Sequence, residues 1–165
     1  MKHPHTSLRL ILAGFLAACL AIGAVAADKY RLAADNKIRA QALVNKVMAE
    51  NAGLVSVGMH CVPPGGNAQA IVASTLNVIG KPSDPPDVDV GTHGETILSP
   101  NLKVPKIGVM MPLHDRAGKE IGAFAIAFKF KPGEDQVKYL ARATEIRDRV
   151  AQEIPSLADL FAAAP

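Results

Sequence analysis

The sequence predicts an α+β domain built on an antiparallel sheet. Three observations lead there: helical periodicity is confined to the two ends of the chain, alternating apolar segments follow one another through the middle, and no crossover helix separates consecutive segments. A length of 165 residues fits a single domain.

The first residues read as an export leader. Met1 to Arg9 carries Lys2 and Arg9 and no acid, and Leu10 to Ala27 is an unbroken small and apolar run. Two processing readings compete. Val25-Ala26-Ala27 suits general signal peptidase and gives a mature chain from Asp28. Leu16-Ala17-Ala18-Cys19 matches a lipobox, in which lipidation of Cys19 would be the chain's one link to a membrane. The apolar residues after Cys19 favour the first reading. The expected organisation is therefore a signal peptide over residues 1–27 and one domain over 28–165, periplasmic or secreted.

Without Lys2 and Arg9, the 18 basic residues fall to 16 against 15 acids, so the net charge of +3 largely belongs to the leader. Scattered basic residues, few aromatics and no Trp exclude a nucleic-acid footprint. Cys61 is the single cysteine after the leader, which excludes an internal disulfide. It is expected as a small buried hydrophobe rather than a reactive thiol.

Asp28 to Ala52 is expected to form a long helix, because Ala40, Leu43, Val44, Val47 and Met48 make one stripe and Gly53 suits its end. Leu54 to Val62 alternates as a strand, with Val55, Val57, Met59 and Cys61 facing one way and Ser56, Gly58 and His60 the other. Pro63 to Asn67 turns, and Ala68 to Leu76 returns as a second strand. Asn77 to Gly94 is polar and irregular. Within it Ser83-Asp84-Pro85-Pro86-Asp87 can start a short helical turn, and such a segment serves as a lid or pocket wall. Glu95 to Leu98 is a short strand closed by Ser99-Pro100-Asn101.

Lys106 to His114 and Lys119 to Lys131 form the clearest pair, joined by Asp115-Arg116-Ala117-Gly118. In the second of these, Phe124, Ile126, Phe128 and Phe130 make a bulky face and Ile121, Ala123, Ala125 and Ala127 a small one. A helix packed on the large face and a ligand lying over the small face remain alternatives at this level. After Pro132-Gly133, a helix carrying Leu140, Ala143, Ile146, Val150 and Ile154 runs to Pro155, and Ser156 to Phe161 forms a last capped turn.

The segment Ile79 to Asp84 (IGKPSD) and the run Met111 to Phe128 (MPLHDRAGKEIGAFAIAF) resemble the extracytoplasmic PAS-like sensor domains of the Cache family. The resemblance implies a five-stranded antiparallel sheet, a long N-terminal helix along one side, a C-terminal helix and a small-molecule pocket between sheet and irregular segment. It does not extend to the family's amino-acid-binding motif. Receptors of that family continue into a membrane span and an output domain; this sequence is expected to act without its own output module.

Histidines His60, His93 and His114, with Met59, Cys61, Met110 and Met111, raise metal or haem ligation as an alternative. Strand alternation turns Met59 and Cys61 away from His60, and Met110 and His114 stand about 13 Å apart along a strand. Ligation would need His60 and His114 from paired strands. No nucleophile elbow, Walker loop, dinucleotide fingerprint, HExxH or CxxC occurs. The expectation is a non-enzymatic domain with no cofactor that binds a small molecule through His60, Ser74, Thr75, Lys81 and His114. A partner-binding accessory role in the cell envelope is the other alternative.

Overall fold

In a computed structural model of the chain, the structure describes residues 38–165. The proposed leader, both processing sites and Cys19 lie outside the described residues. Helix α1 (Arg39–Glu50) leads into strands β1 (Leu54–Cys61) and β2 (Ala70–Ser74), then helix α2 (Pro85–His93). Strands β3 (Ile97–Asn101), β4 (Lys106–His114) and β5 (Glu120–Lys129) follow, then helix α3 (Val137–Gln152) and a 3-10 turn at Ala158–Phe161. The five strands form one antiparallel sheet in the order β2-β1-β5-β4-β3.

The alternation in β1, β4 and β5 gives this sheet two unequal faces. The large face carries Val57, Met59, Cys61, Ile107, Val109, Met111, Leu113, Phe124, Ile126 and Phe128, all buried in the main core. Helix α1 covers it over β1 and β2, and α3 over β4 and β5. The stripe of α1 buries Ala40, Leu43, Val44 and Val47; that of α3 buries Ala143, Ile146, Val150 and Ala151. Tyr139 closes the edge of this core, with ring centroids 5.5 Å from Phe128 and 5.7 Å from Phe130. Cys61 is fully buried here, and burial pushes its thiol up to about 12.

Several expectations are corrected in detail. Ile38 is extended and bridges Ala163, while the Arg39 amide donates to the Ala162 carbonyl, so the helix does not run through Ile38. Asn77 to Gly94 is more ordered than its polarity implies. Residues 80–83 lie along the outer edge of β2, with Ile71 N donating to Lys81 O at 2.9 Å and Ser83 N to Gln69 O at 3.1 Å. The expected turn beyond them is the nine-residue α2, which starts with Pro85 and ends at Gly94 in the left-handed conformation. Strand β3 runs through Pro100 instead of stopping before it, because β3 is an edge strand where a missing donor costs no ladder bond.

Ile121 packs in the main core and not with the small side chains. A register shift between Leu113 and His114 breaks the alternation beside it, where Gly122 takes φ +148°. A side chain at position 122 would collide with the His60 carbonyl oxygen, so the close approach of β1 and β5 requires glycine there.

Candidate functional site

The register of the ladders places the small-face residues in rows across the sheet. Asn101, Lys106 and Lys129 stand side by side at one end. The next row is Ser99, Gly108, Ala127 and Ser56, and the third is Ile97, Met110, Ala125 and Gly58. The fourth holds Pro112, Ala123 and His60. Helix α2 packs over β5, β4 and β1, burying Val90 and setting Gly91 against Gly122. Between its first turn and the sheet lies a hollow of about 250 Å³, bounded by Ser56, Pro86, Asp87, Ile97, Met110 and Ala125. A wider hollow of about 600 Å³, edged by Asn101, Leu102, Lys103 and Lys106, adjoins it, and the two share Ser99, Gly108 and Ala127. Together they make a groove with an apolar floor and polar ends, the usual character of a small-molecule site.

His60 anchors the roof of this groove. Its side chain is buried beneath α2, with Nδ1 3.0 Å from Ser83 Oγ and 3.6 Å from Asp87 Oδ2. The serine hydroxyl can donate or accept, so either neutral tautomer of the ring is satisfied. Burial lowers the pKa of His60 below the ordinary histidine value, while the carboxylates of Asp87 and Asp84 pull it upward. Burial prevails, and the ring is neutral at pH 7. Against Gly91 of α2, Gln69 is buried, and its Oε1 has no hydrogen-bond partner among the described residues.

The five residues expected from sequence do not converge. His60 lies under α2. Ser74 is on the same face two strands from the groove floor, where its Oγ accepts the Leu76 amide at 3.0 Å and its backbone is held by Gln41. Thr75 extends the β1–β2 ladder through its side chain, its Oγ1 accepting the Val57 amide at 3.0 Å. The Lys81 side chain is exposed in the strip along β2, where its backbone makes the contacts. His114 stands at the end of β4 opposite Glu120. Strand β5 separates β4 from β1, so His60 and His114 are not on paired strands, and His114 also lies two residues beyond Pro112, which shares the row of His60. Among the described residues no group of three or more His, Cys, Asp or Glu side chains gathers as a metal site.

Sequence reasoning missed Ser83, Asp87, Ser99 and Lys106 as site residues. Ser99 and Lys106 had a signal, since alternation through β4 puts Lys106 on the face of Gly108 and Met110. Ser83 had none, because its contact with His60 spans 23 residues.

No family model matches the sequence, and no curated protein matches it. Solved structures do share the fold. A GAF sensor protein from Burkholderia vietnamiensis is 14% identical with a TM-score of 0.51, over 88% of this chain and 95% of that one. A type II free methionine-R-sulfoxide reductase from Thermoplasma acidophilum is 15% identical with a TM-score of 0.52, over 82% and 98%. A GAF domain from A. aeolicus, in an inactive state, is 14% identical with a TM-score of 0.51, over 84% and 94%. The expectation of a non-enzymatic domain, which rested on the lack of catalytic motifs, is overturned by the reductase, an enzyme with this fold. The Cache resemblance is corrected as well. Its residues are ones any such hairpin requires: Asp115 Oδ1 accepts the amides of Ala117 and Lys119 to close the turn, and the apolar strands fill the core. The chain has the fold of the GAF domains.

Proposed function

We propose that this chain is an exported, sensor-like domain that binds a small molecule in the groove on the small face of its sheet. The observation that carries the reading is the open floor at Gly108 and Ala127, between α2 and the β3–β4 hairpin. A sheet face lined by glycine and alanine leaves its volume for a ligand, and the hydroxyls of Ser56 and Ser99 flank that floor as orienting groups. The GAF sensor protein and GAF domain that share the fold support the sensor-like reading, and the leader supports export.

A compound that prefers the native state raises the melting point of the chain. Thermal-shift screening with organic acids, amino acids, nucleobases and metal ions is expected to give stabilisers from one organic class. Gly108→Leu, which fills the floor where only Ser99 lies near, is expected to abolish the shift. Stabilisation by metal ions alone, or unchanged by Gly108→Leu, contradicts the groove. N-terminal sequencing of the exported product tests the leader: a chain beginning at Asp28 supports soluble export, one beginning at lipidated Cys19 supports a lipoprotein, and an intact Met1 contradicts both.

A further inference from the structure

Lys106 and Lys129 are direct cross-strand partners on β4 and β5, and both belong to the small face. Like charges in that position repel, and sheets ordinarily avoid the pairing. Among the described residues nothing relieves it: neither lysine forms an ion pair or a side-chain hydrogen bond, and nor does the ammonium of Lys103 beside them. Lys103 and Lys106 both edge the wide hollow. Asn101 completes the row; its Oδ1 accepts the amides of Lys103 and Val104, which leaves its Nδ2 as a donor. Lys103, Lys106 and the amide of Asn101 thus edge one end of the groove, Lys129 stands next to Lys106 in the same row, and the floor beside them is Gly108 and Ala127. The opposite end carries the carboxylate of Asp87.

Resting on the groove as the binding site, we infer that its ligand is an elongated organic acid, held by its carboxylate at Lys106 and Lys129. The apolar body lies over Gly108 and Ala127, and a hydrogen-bond donor or amine at the far end meets Asp87. The rows of Lys106 and Met110 lie about 13 Å apart along β4, and Asp87 shares the lining of the inner hollow with Met110. Unpaired like charges that weaken the free protein become favourable when an anion bridges them, a local conflict of the kind kept at functional sites.

Titration of the full chain with hexanoate, 6-aminohexanoate and hexanamide, followed through backbone amide resonances, tests the assignment. The expected affinity order is 6-aminohexanoate, then hexanoate, then hexanamide, with shifts at Lys106, Gly108 and Ala127. Lys106→Met with Lys129→Met weakens both acids at least tenfold and leaves hexanamide unchanged, whereas Lys106→Arg with Lys129→Arg retains acid binding. Equal binding of hexanamide and hexanoate, or acid binding indifferent to the methionine pair, overturns the inference and leaves the groove standing. Absence of shifts at the groove amides with every probe overturns both.

Discussion

His60 Nδ1 lies 3.0 Å from Ser83 Oγ, and this contact ties the sheet to the segment that roofs the groove. With α2 held at the His60 end, the rows of Gly108 and Lys106 stay open at the other.

The tie is sensitive to acid. Burial holds the folded-state pKa of His60 below its unfolded value near 6.5, so the folded chain binds fewer protons than the unfolded one between the two values. The His60 contribution is complete above pH 6.5 and is lost as pH falls toward the folded pKa. Melting points measured from pH 7.5 to 5 are expected to decline, and His60→Gln, which keeps a polar partner for Ser83, is expected to flatten that part of the decline. An unchanged slope in the variant contradicts the account.

The seat of α2 depends on Gly91. Alanine would favour the helix by about 1 kcal/mol in isolation. Here its Cβ would stand 3.0 Å from the backbone carbon of Gly122 and 2.6 Å from Gln69 Nε2. Gly91→Ala is therefore expected to destabilise the domain, by about 1–3 kcal/mol in urea unfolding, and to speed amide exchange in α2. A more stable variant would mean that α2 is not packed this closely.

That helix also marks where the sequence stops being legible. The pleat of β1, β4 and β5, the division into bulky and small faces and the stripes of α1 and α3 follow from residue spacing, except at Val55, exposed where the β1 register shifts, and at Ile121, which joins the core. Helix α2 buries Val90 alone and opens with two prolines, so periodicity over Asn77 to Gly94 had almost nothing to register. Of the site, alternation exposes His60, Ser56 and the lysine row. The convergence of Ser83 and Asp87 on His60 is tertiary and leaves no local trace. Ser74 and Thr75 are polar because they finish the β1–β2 ladder, a role that in sequence looks the same as binding.

Cys61 should be inert in the native state, since the buried thiol titrates near 12 and only the thiolate is nucleophilic. In a Cys19→Ser background, a thiol-reactive chromophore is expected to label Cys61 only after denaturant is added. Rapid labelling of the folded chain would place the thiol at a surface.

At the start of α3, Glu134 accepts hydrogen bonds from the Tyr139 hydroxyl at 2.6 Å and the Lys131 amide at 2.8 Å, with Lys138 alongside. These hold its carboxyl at about 2, with the tyrosine bond the leading cause. A lowered carboxyl pKa favours the folded state above the unfolded value near 4.5 and loses that effect as pH falls toward 2. Tyr139→Phe is expected to raise the Glu134 titration midpoint measured by NMR. A midpoint unmoved by the substitution would assign the shift to the lysine contacts instead.

The groove itself is tested most directly by mapping where the best stabiliser from the thermal screen binds. Backbone amide shifts concentrated at Ser56, Gly108 and Ala127, and absent in Gly108→Leu, are the predicted result. Shifts concentrated instead around Val62, Asp115 and Phe161, which edge a separate hollow of about 510 Å³, would contradict it.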